Sequence, residues 1–201
     1  MKQLLLIATF LVAGIVNAQV EVASYKTSYW PEKEKYKIEV SDEKGEIDKI
    51  WIEAPTLDKT SREGYIIIDA KKLPDFIEYL KLGKSKYEEW SKTAKENNVT
   101  ELNKEIEPAK RFNTTAAFKY GKWQYDFSNN LTAKFLILKD KTLLTISTGN
   151  LQSSSNQFMK NEGVILVFSD ADEIQQFIDQ LDLAKFTELI KSKDKKEDLF
   201  K

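Results

Sequence analysis

Apolar and polar residues alternate through the first third of the chain. Tyr36, Ile38 and Val40 interleave with Lys35, Lys37 and Glu39, and residues 47–54 return with Ile50, Ile52 and Ala54 against Lys49, Trp51 and Glu53, which predicts a β-hairpin turning over residues 42–45. Residues 20–30 are rich in strand formers and stop at Pro31, predicting a preceding strand. After Gly64, residues 65–68 are apolar at both parities, as in a strand buried on two faces. The period then changes. Leu73, Leu80, Tyr87 and Ala94 recur every seven residues, with Phe76, Ile77 and Trp90 beside them and lysines and acids opposite, predicting a helix that runs to about Asn97. Pro74 belongs in its first turn, and Gly83 falls on its buried stripe.

Residues 98–113 are polar, contain Pro108, and read as a crossover. Beyond it come a hairpin of 116–120 and 123–127, a second of 133–139 and 142–148 about Asp140-Lys141, and a short apolar strand at 164–168. Ser169 is expected to cap a helix carrying Ile174, Phe177, Ile178 and Leu181, and Asp182 a last short helix through Ile190. Gly64, strand, Leu73, Phe76, Ile77, Leu80 parallels Gly163, strand, Ile174, Phe177, Ile178, Leu181. The fold class expected is therefore α+β, with antiparallel sheet in two sheet-then-helix halves, 19–97 and 114–191, a suggested pseudo-twofold and helices packed on one side.

The ends change the picture. Lys2, the apolar run 4–15 and the short residues Val16, Asn17 and Ala18 read as a signal peptide of residues 1–18, too short in its apolar part to span a bilayer. One domain of 19–191 and a charged tail of 192–201 follow. The expected product is exported, periplasmic or secreted, with no membrane span once the leader is cleaved. The chain of 201 residues has no cysteine and no histidine, which removes disulfides, thiol nucleophiles, thiolate and imidazole metal sites and the usual triads. With 31 basic against 32 acidic residues there is no field to steer nucleic acid or anionic lipid. No phosphate-binding loop or nucleophile elbow is present, and neither a cofactor nor a metal is expected. Adjacent Glu88-Glu89 diverge on a helix, and Asp170 and Asp172 suit a helix start.

Three features are left for function. A two-residue loop at Gly121-Lys122 pairs Tyr120 with Trp123, Phe118 with Tyr125 and Ala116 with Phe127, giving an aromatic face that is either roofed by the long helix or open to a planar, partly apolar ligand such as a sugar; the roofed arrangement is the expectation. Trp51 shares its face with Lys49 and Glu53, so it lies on the solvent side or beneath a covering segment such as Tyr29-Trp30-Pro31. Ser153, Ser154, Ser155 and Asn156 form a Ser/Asn-rich loop. The candidate ligand site is Trp51, Tyr29 and Trp30 with Ser153, Ser154, Ser155 and Asn156. Arg62 and Arg111 are the only arginines, and each suggests a bidentate contact to a carboxylate, internal or from a ligand.

The leader ending Asn17-Ala18-Gln19, the 73–90 helix, the aromatic hairpin and the Phe168-Ser169-Asp170 helix entry together resemble small exported proteins of Bacteroidota of unassigned function. That resemblance implies export and carries no site residues. The expected function is a non-enzymatic binding protein whose partner is an envelope protein or a glycan. The alternatives are a carboxylate-dependent glycan hydrolase and a lipid- or outer-membrane-associated chaperone.

Overall fold

A computed structural model describes residues 19–198 apart from 44–45, 60–61, 109–110 and 140, with side chains described to residue 193. The leader, Lys44 and Gly45 of the first hairpin turn, Asp140 of the later one and the end of the tail lie outside the described residues. The strands are β1 (Val20–Tyr25), β2 (Tyr36–Glu43), β3 (Glu46–Ala54), β4 (Gly64–Asp69), β5 (Glu101–Ile106), β6 (Asn113–Tyr120), β7 (Lys122–Leu138), β8 (Lys141–Thr148), β9 (Leu151–Gln152), β10 (Lys160–Asn161) and β11 (Ile165–Phe168). The helices are α1 (Leu73–Glu96), α2 (Ala171–Asp179) and α3 (Leu183–Asp198). The fold is α+β.

One antiparallel sheet of nine strands runs β1-β2-β3-β4-β6-β7-β8-β11. Its hinge is β7, 17 residues long: the first part pairs with β6, and residues 133–138 lie between β5 and β8. The second half was expected as two separate hairpins, with strands ending at 127 and starting again at 133; here residues 128–132 continue one strand. The polar crossover also contains a strand. Only Leu102 and Ile106 of β5 are apolar, which is too little alternation to declare an edge strand whose other positions face water.

The sheet curls until its distant parts meet. Thr56, just after β3, bridges Val164, just before β11; the Ile165 N–H donates to the Pro55 carbonyl at 3.0 Å, and Thr27 Oγ1 donates to the Val167 carbonyl at 2.7 Å. Gly64 sits in this seam, where a Cβ would stand 2.7 Å from Val164 Cγ2. On the inner side Ile38, Ile52, Ile66, Phe118, Phe135 and Ile146 are fully buried. The α1 stripe lies against β7 and β8, with Tyr87 and Trp90 edge-on to Phe135 and Gly83 close enough that a Cβ would touch Leu144. Pro74 occupies the first turn, after a single 3-10 turn at Ala70–Lys72. The cap of α2 is Asp170 rather than Ser169: Asp170 Oδ1 accepts the Glu173 N–H at 2.7 Å, because a carboxylate three residues before that amide has the reach of an N-cap. Asp182 caps α3 as expected, accepting from Ala184 and Lys185, and α3 runs on to Asp198, past Ile190. Among the described residues no helix is long and apolar enough to cross a membrane.

Candidate functional site

The hairpin of β6 and β7 decides where the aromatic residues point. Its turn closes on Gly121 alone, held at φ +67°, and pairs Tyr120 with Lys122, Lys119 with Trp123, Phe118 with Gln124 and Ala117 with Tyr125. This register differs from the expected one by one residue, and such a slip moves every side chain of a strand to the other face. The expected six-residue aromatic face therefore does not form. Ala116 and Phe118 stay in the core, while Trp123, Tyr125 and Phe127 share the outer face with Ala117 and Lys119.

Trp51 is on that same outer face, opposite in parity to Ile50, Ile52 and Ala54, as its charged company indicates. Its partial cover comes from Tyr65 and Tyr125, with ring centroids at 5.9 and 6.2 Å, and not from the Tyr29-Trp30-Pro31 segment. Backbones of β3 and β7 are three strand spacings apart, roughly 14 Å, so Trp51 and Tyr125 meet only by leaning over β4 and β6. Ile67 and Ala117 lie between them and are buried although they face outward. Tyr65 continues to Trp123 at 5.3 Å, and Tyr125 to Phe127 at 6.2 Å with planes 4° apart. Five rings thus form one layer across the outer side of β3, β4, β6 and β7.

The layer has a fixed part and a free part. Trp51 donates its indole N–H to Ser41 Oγ at 3.1 Å, and Tyr65 donates to Glu39 at 2.8 Å. Burial first, then the hydrogen bond to Glu39, hold the Tyr65 hydroxyl well above the ordinary tyrosine range. Trp123 and Phe127 are 38% and 63% exposed, with Tyr120 at 56% near the hairpin tip. Neither the Trp123 N–H nor the Tyr125 hydroxyl has a hydrogen-bond partner among the described residues. Most charges on this face are engaged with one another, Glu53 with Lys33, Lys49 with Asp69 at 3.2 Å and Lys119 with Glu63 at 2.8 Å, while Glu39 is held by the Tyr65 hydroxyl.

The Ser/Asn loop borders the layer along the edge of β7. The Ser154 N–H donates to the Tyr125 carbonyl at 2.8 Å, and the Gln152 N–H to Asp126 Oδ2 at 2.9 Å. Ser153 is buried; its hydroxyl donates to Gln124 Oε1 at 2.7 Å and accepts the N–H groups of Ser155 and Asn156, both at 3.2 Å. Its polar capacity is used to hold the loop. Tyr29 and Trp30 pack edge-on to each other, with Lys141 Nζ 6.0 Å from the Tyr29 ring, and no ring contact or hydrogen bond joins them to Trp51. Of the sequence-predicted residues, then, β7 brings together Trp51 and the 153–156 loop, and Tyr29 and Trp30 form a separate pair. The members that the sequence reading missed are Tyr65, Trp123, Tyr125 and Phe127. The hairpin register reveals Trp123, Tyr125 and Phe127, with Gly121 as the single left-handed residue of the turn its local signal, and Tyr65 joins them through the pairing of β4 with β6 opposite Ala117. No group of three or more acidic side chains able to hold a metal occurs among the described residues. Comparison with protein-family models, curated proteins and solved structures finds no match for this chain.

Proposed function

We propose that this is an exported binding protein that recognises a neutral glycan of the cell envelope or its surroundings through the outer face of its sheet. The observation that carries this reading is the five-ring layer of Trp51, Tyr65, Trp123, Tyr125 and Phe127, partly open to solvent on a rigid sheet. A soluble domain does not normally leave this much contiguous aromatic surface in water. Ring faces stack on the apolar C–H faces of sugars, and the unpaired Trp123 N–H and Tyr125 hydroxyl supply donors for ring hydroxyls. The mutual pairing of the surrounding charges favours a neutral ligand, since a charged one would have to compete with an existing partner. Export rests on the leader of residues 1–18.

The test is an array of neutral glycans, acidic glycans and peptides probed with the full mature chain and with its Trp123→Ala and Phe127→Ala variants. Both residues are exposed enough to be removed without emptying the core. The expected result is binding to neutral glycans that each variant weakens by about 5- to 150-fold, from losses of ~1–3 kcal/mol per ring, the size seen when a stacked aromatic is removed. Equal binding by parent and variants, or binding confined to peptides, overturns the reading. Release of reducing sugar that Glu39→Gln abolishes would replace it with the hydrolase alternative.

A further inference from the structure

A cavity of about 510 Å³ opens between α1 and the place where the sheet divides, β5 ending at Ile106 and β6 starting at Asn113. That volume falls among those of small-molecule sites, ~300–1,000 Å³. Leu82, Pro108, Phe112 and Tyr79 give it apolar walls, and it has four charged residues. Two of these are engaged: Lys72 pairs with Asp69 at 3.0 Å and Glu78 with Lys81 at 2.8 Å. The other two, Arg111 and Asp75, have no side-chain hydrogen bond or ion pair among the described residues, with each other or with anything else. Arg62, by contrast, reaches Glu32 at 3.6 Å.

Tyr79 is the most enclosed of the aromatic walls. It is 6% exposed, and its hydroxyl has no hydrogen-bond partner of acceptable geometry. Burial pushes its pKa up to about 12, offset in part by the nearby Ala133 amide. That hydroxyl is sealed from solvent beside the Ala133 amide of β7, so the ring and not the hydroxyl is what Tyr79 offers to the cavity.

We propose that this cavity binds a small zwitterion with an apolar body, of the kind an apolar amino acid or a short apolar peptide presents. Arg111 takes the carboxylate, for which its planar fork of donors is suited. Asp75 takes the ammonium, and Leu82, Pro108 and Phe112 pack against the apolar part. A simple carboxylate fits less well, since it would leave Asp75 unpaired beside an added negative charge. The site is separate from the aromatic layer and does not depend on the function proposed for it.

The experiment is calorimetric titration of the full mature chain with leucine, Leu-Leu, N-acetyl-Leu-Leu and Leu-Leu amide. Leu-Leu is expected to bind about tenfold or more tighter than either blocked form, the loss of one charge-assisted contact; leucine against Leu-Leu then separates the two sources of the zwitterion. Arg111→Gln should remove the discrimination against the amide, and Asp75→Asn that against the acetyl form. Both side chains are exposed, so circular dichroism should show the fold retained. Heat from none of the four probes, blocked forms that bind as well as free ones, or variants that keep the full discrimination would each overturn the proposal.

Discussion

Two glycines on this chain should respond to alanine with opposite signs. Gly64 opens β4 inside the seam that joins the stretch after β3 to the start of β11. An added Cβ meets Val164 Cγ2 at 2.7 Å, Thr56 Cγ2 at 3.0 Å and the Ala117 carbonyl oxygen at 3.2 Å. Val164 is fully buried and β-branched, which leaves it little rotamer freedom, and a sheet carbonyl cannot step aside. Overpacking of this kind costs about 1–3 kcal/mol. The lower entropy of an unfolded alanine returns about 0.4–1 kcal/mol. Gly64→Ala should therefore lose up to about 2.6 kcal/mol and about 1.3 at the middle of that range, where the fall in Tm is roughly 3–5 °C for a domain of this size. Gly83 lies within α1, where its new Cβ would meet only the Leu144 side chain, at 3.2 Å from Cδ2. That methyl is the far end of a flexible side chain, and alanine gains about 0.8–1.0 kcal/mol over glycine in a helix interior. Gly83→Ala should thus be neutral or stabilising. Urea denaturation followed by far-UV circular dichroism measures both, with the slope m checked for constancy. A Gly64→Ala variant at least as stable as its parent would refute the closed seam.

Phe135→Ala should be the most damaging single truncation in the second half, at about 3–5 kcal/mol by the same denaturation assay, because it removes the fully buried ring that meets both Tyr87 and Trp90 of α1. Asp69 is held below its ordinary 3.8 by the hydrogen bond from Lys72 and then that from Lys49. Its contribution to stability is accordingly full above that ordinary value and lost as pH falls through the lower folded one, so Asp69→Asn should flatten the acid limb of a stability-pH profile. Burial raises Tyr25, Tyr36, Tyr65, Tyr79 and Tyr87, Tyr36 and Tyr79 to about 12. The stability they contribute is full below the ordinary value of 10 and lost as pH rises through their folded values. Absorbance at the tyrosinate band should show these five lagging behind the ordinary range, ionising together with alkaline unfolding.

What could be read from the chain, and what could not, divides along the range of the signal. The β2-β3 hairpin and α1 are carried by strict local periods, and the parity of Trp51 follows from its own strand. Those elements appear where the alternation places them. The outward turn of Trp123, Tyr125 and Phe127 depends on how many residues close a turn at Gly121, and hydrophobicity argues for the opposite face, since large apolar side chains normally seek the core. Continuity of β7 through Ser128-Asn129-Asn130 is set by its neighbours, with Asn113 pairing with Asn130 and the Phe112 carbonyl accepting the Leu131 N–H at 2.9 Å. No local composition announces that. The 153–156 loop was visible as a loop, but the burial of Ser153 against Gln124 needs a contact across 29 positions.

The aromatic layer is the centre of the account, and indole N–H resonances examine it most directly. The chain has four tryptophans, Trp30, Trp51, Trp90 and Trp123, so a nitrogen-15 correlation spectrum yields four indole signals, assignable with single Trp→Phe variants. Neutral β-linked glucose, xylose and mannose hexasaccharides would be titrated in turn into the mature chain. At least one should shift Trp123 most, with its free donor, and Trp51 less, since Trp51 is held by Ser41, while Trp90, carried by α1 and packed on Phe135, stays in place. Four indole signals unmoved by every sugar, or shifts confined to Trp30 or Trp90, would contradict it.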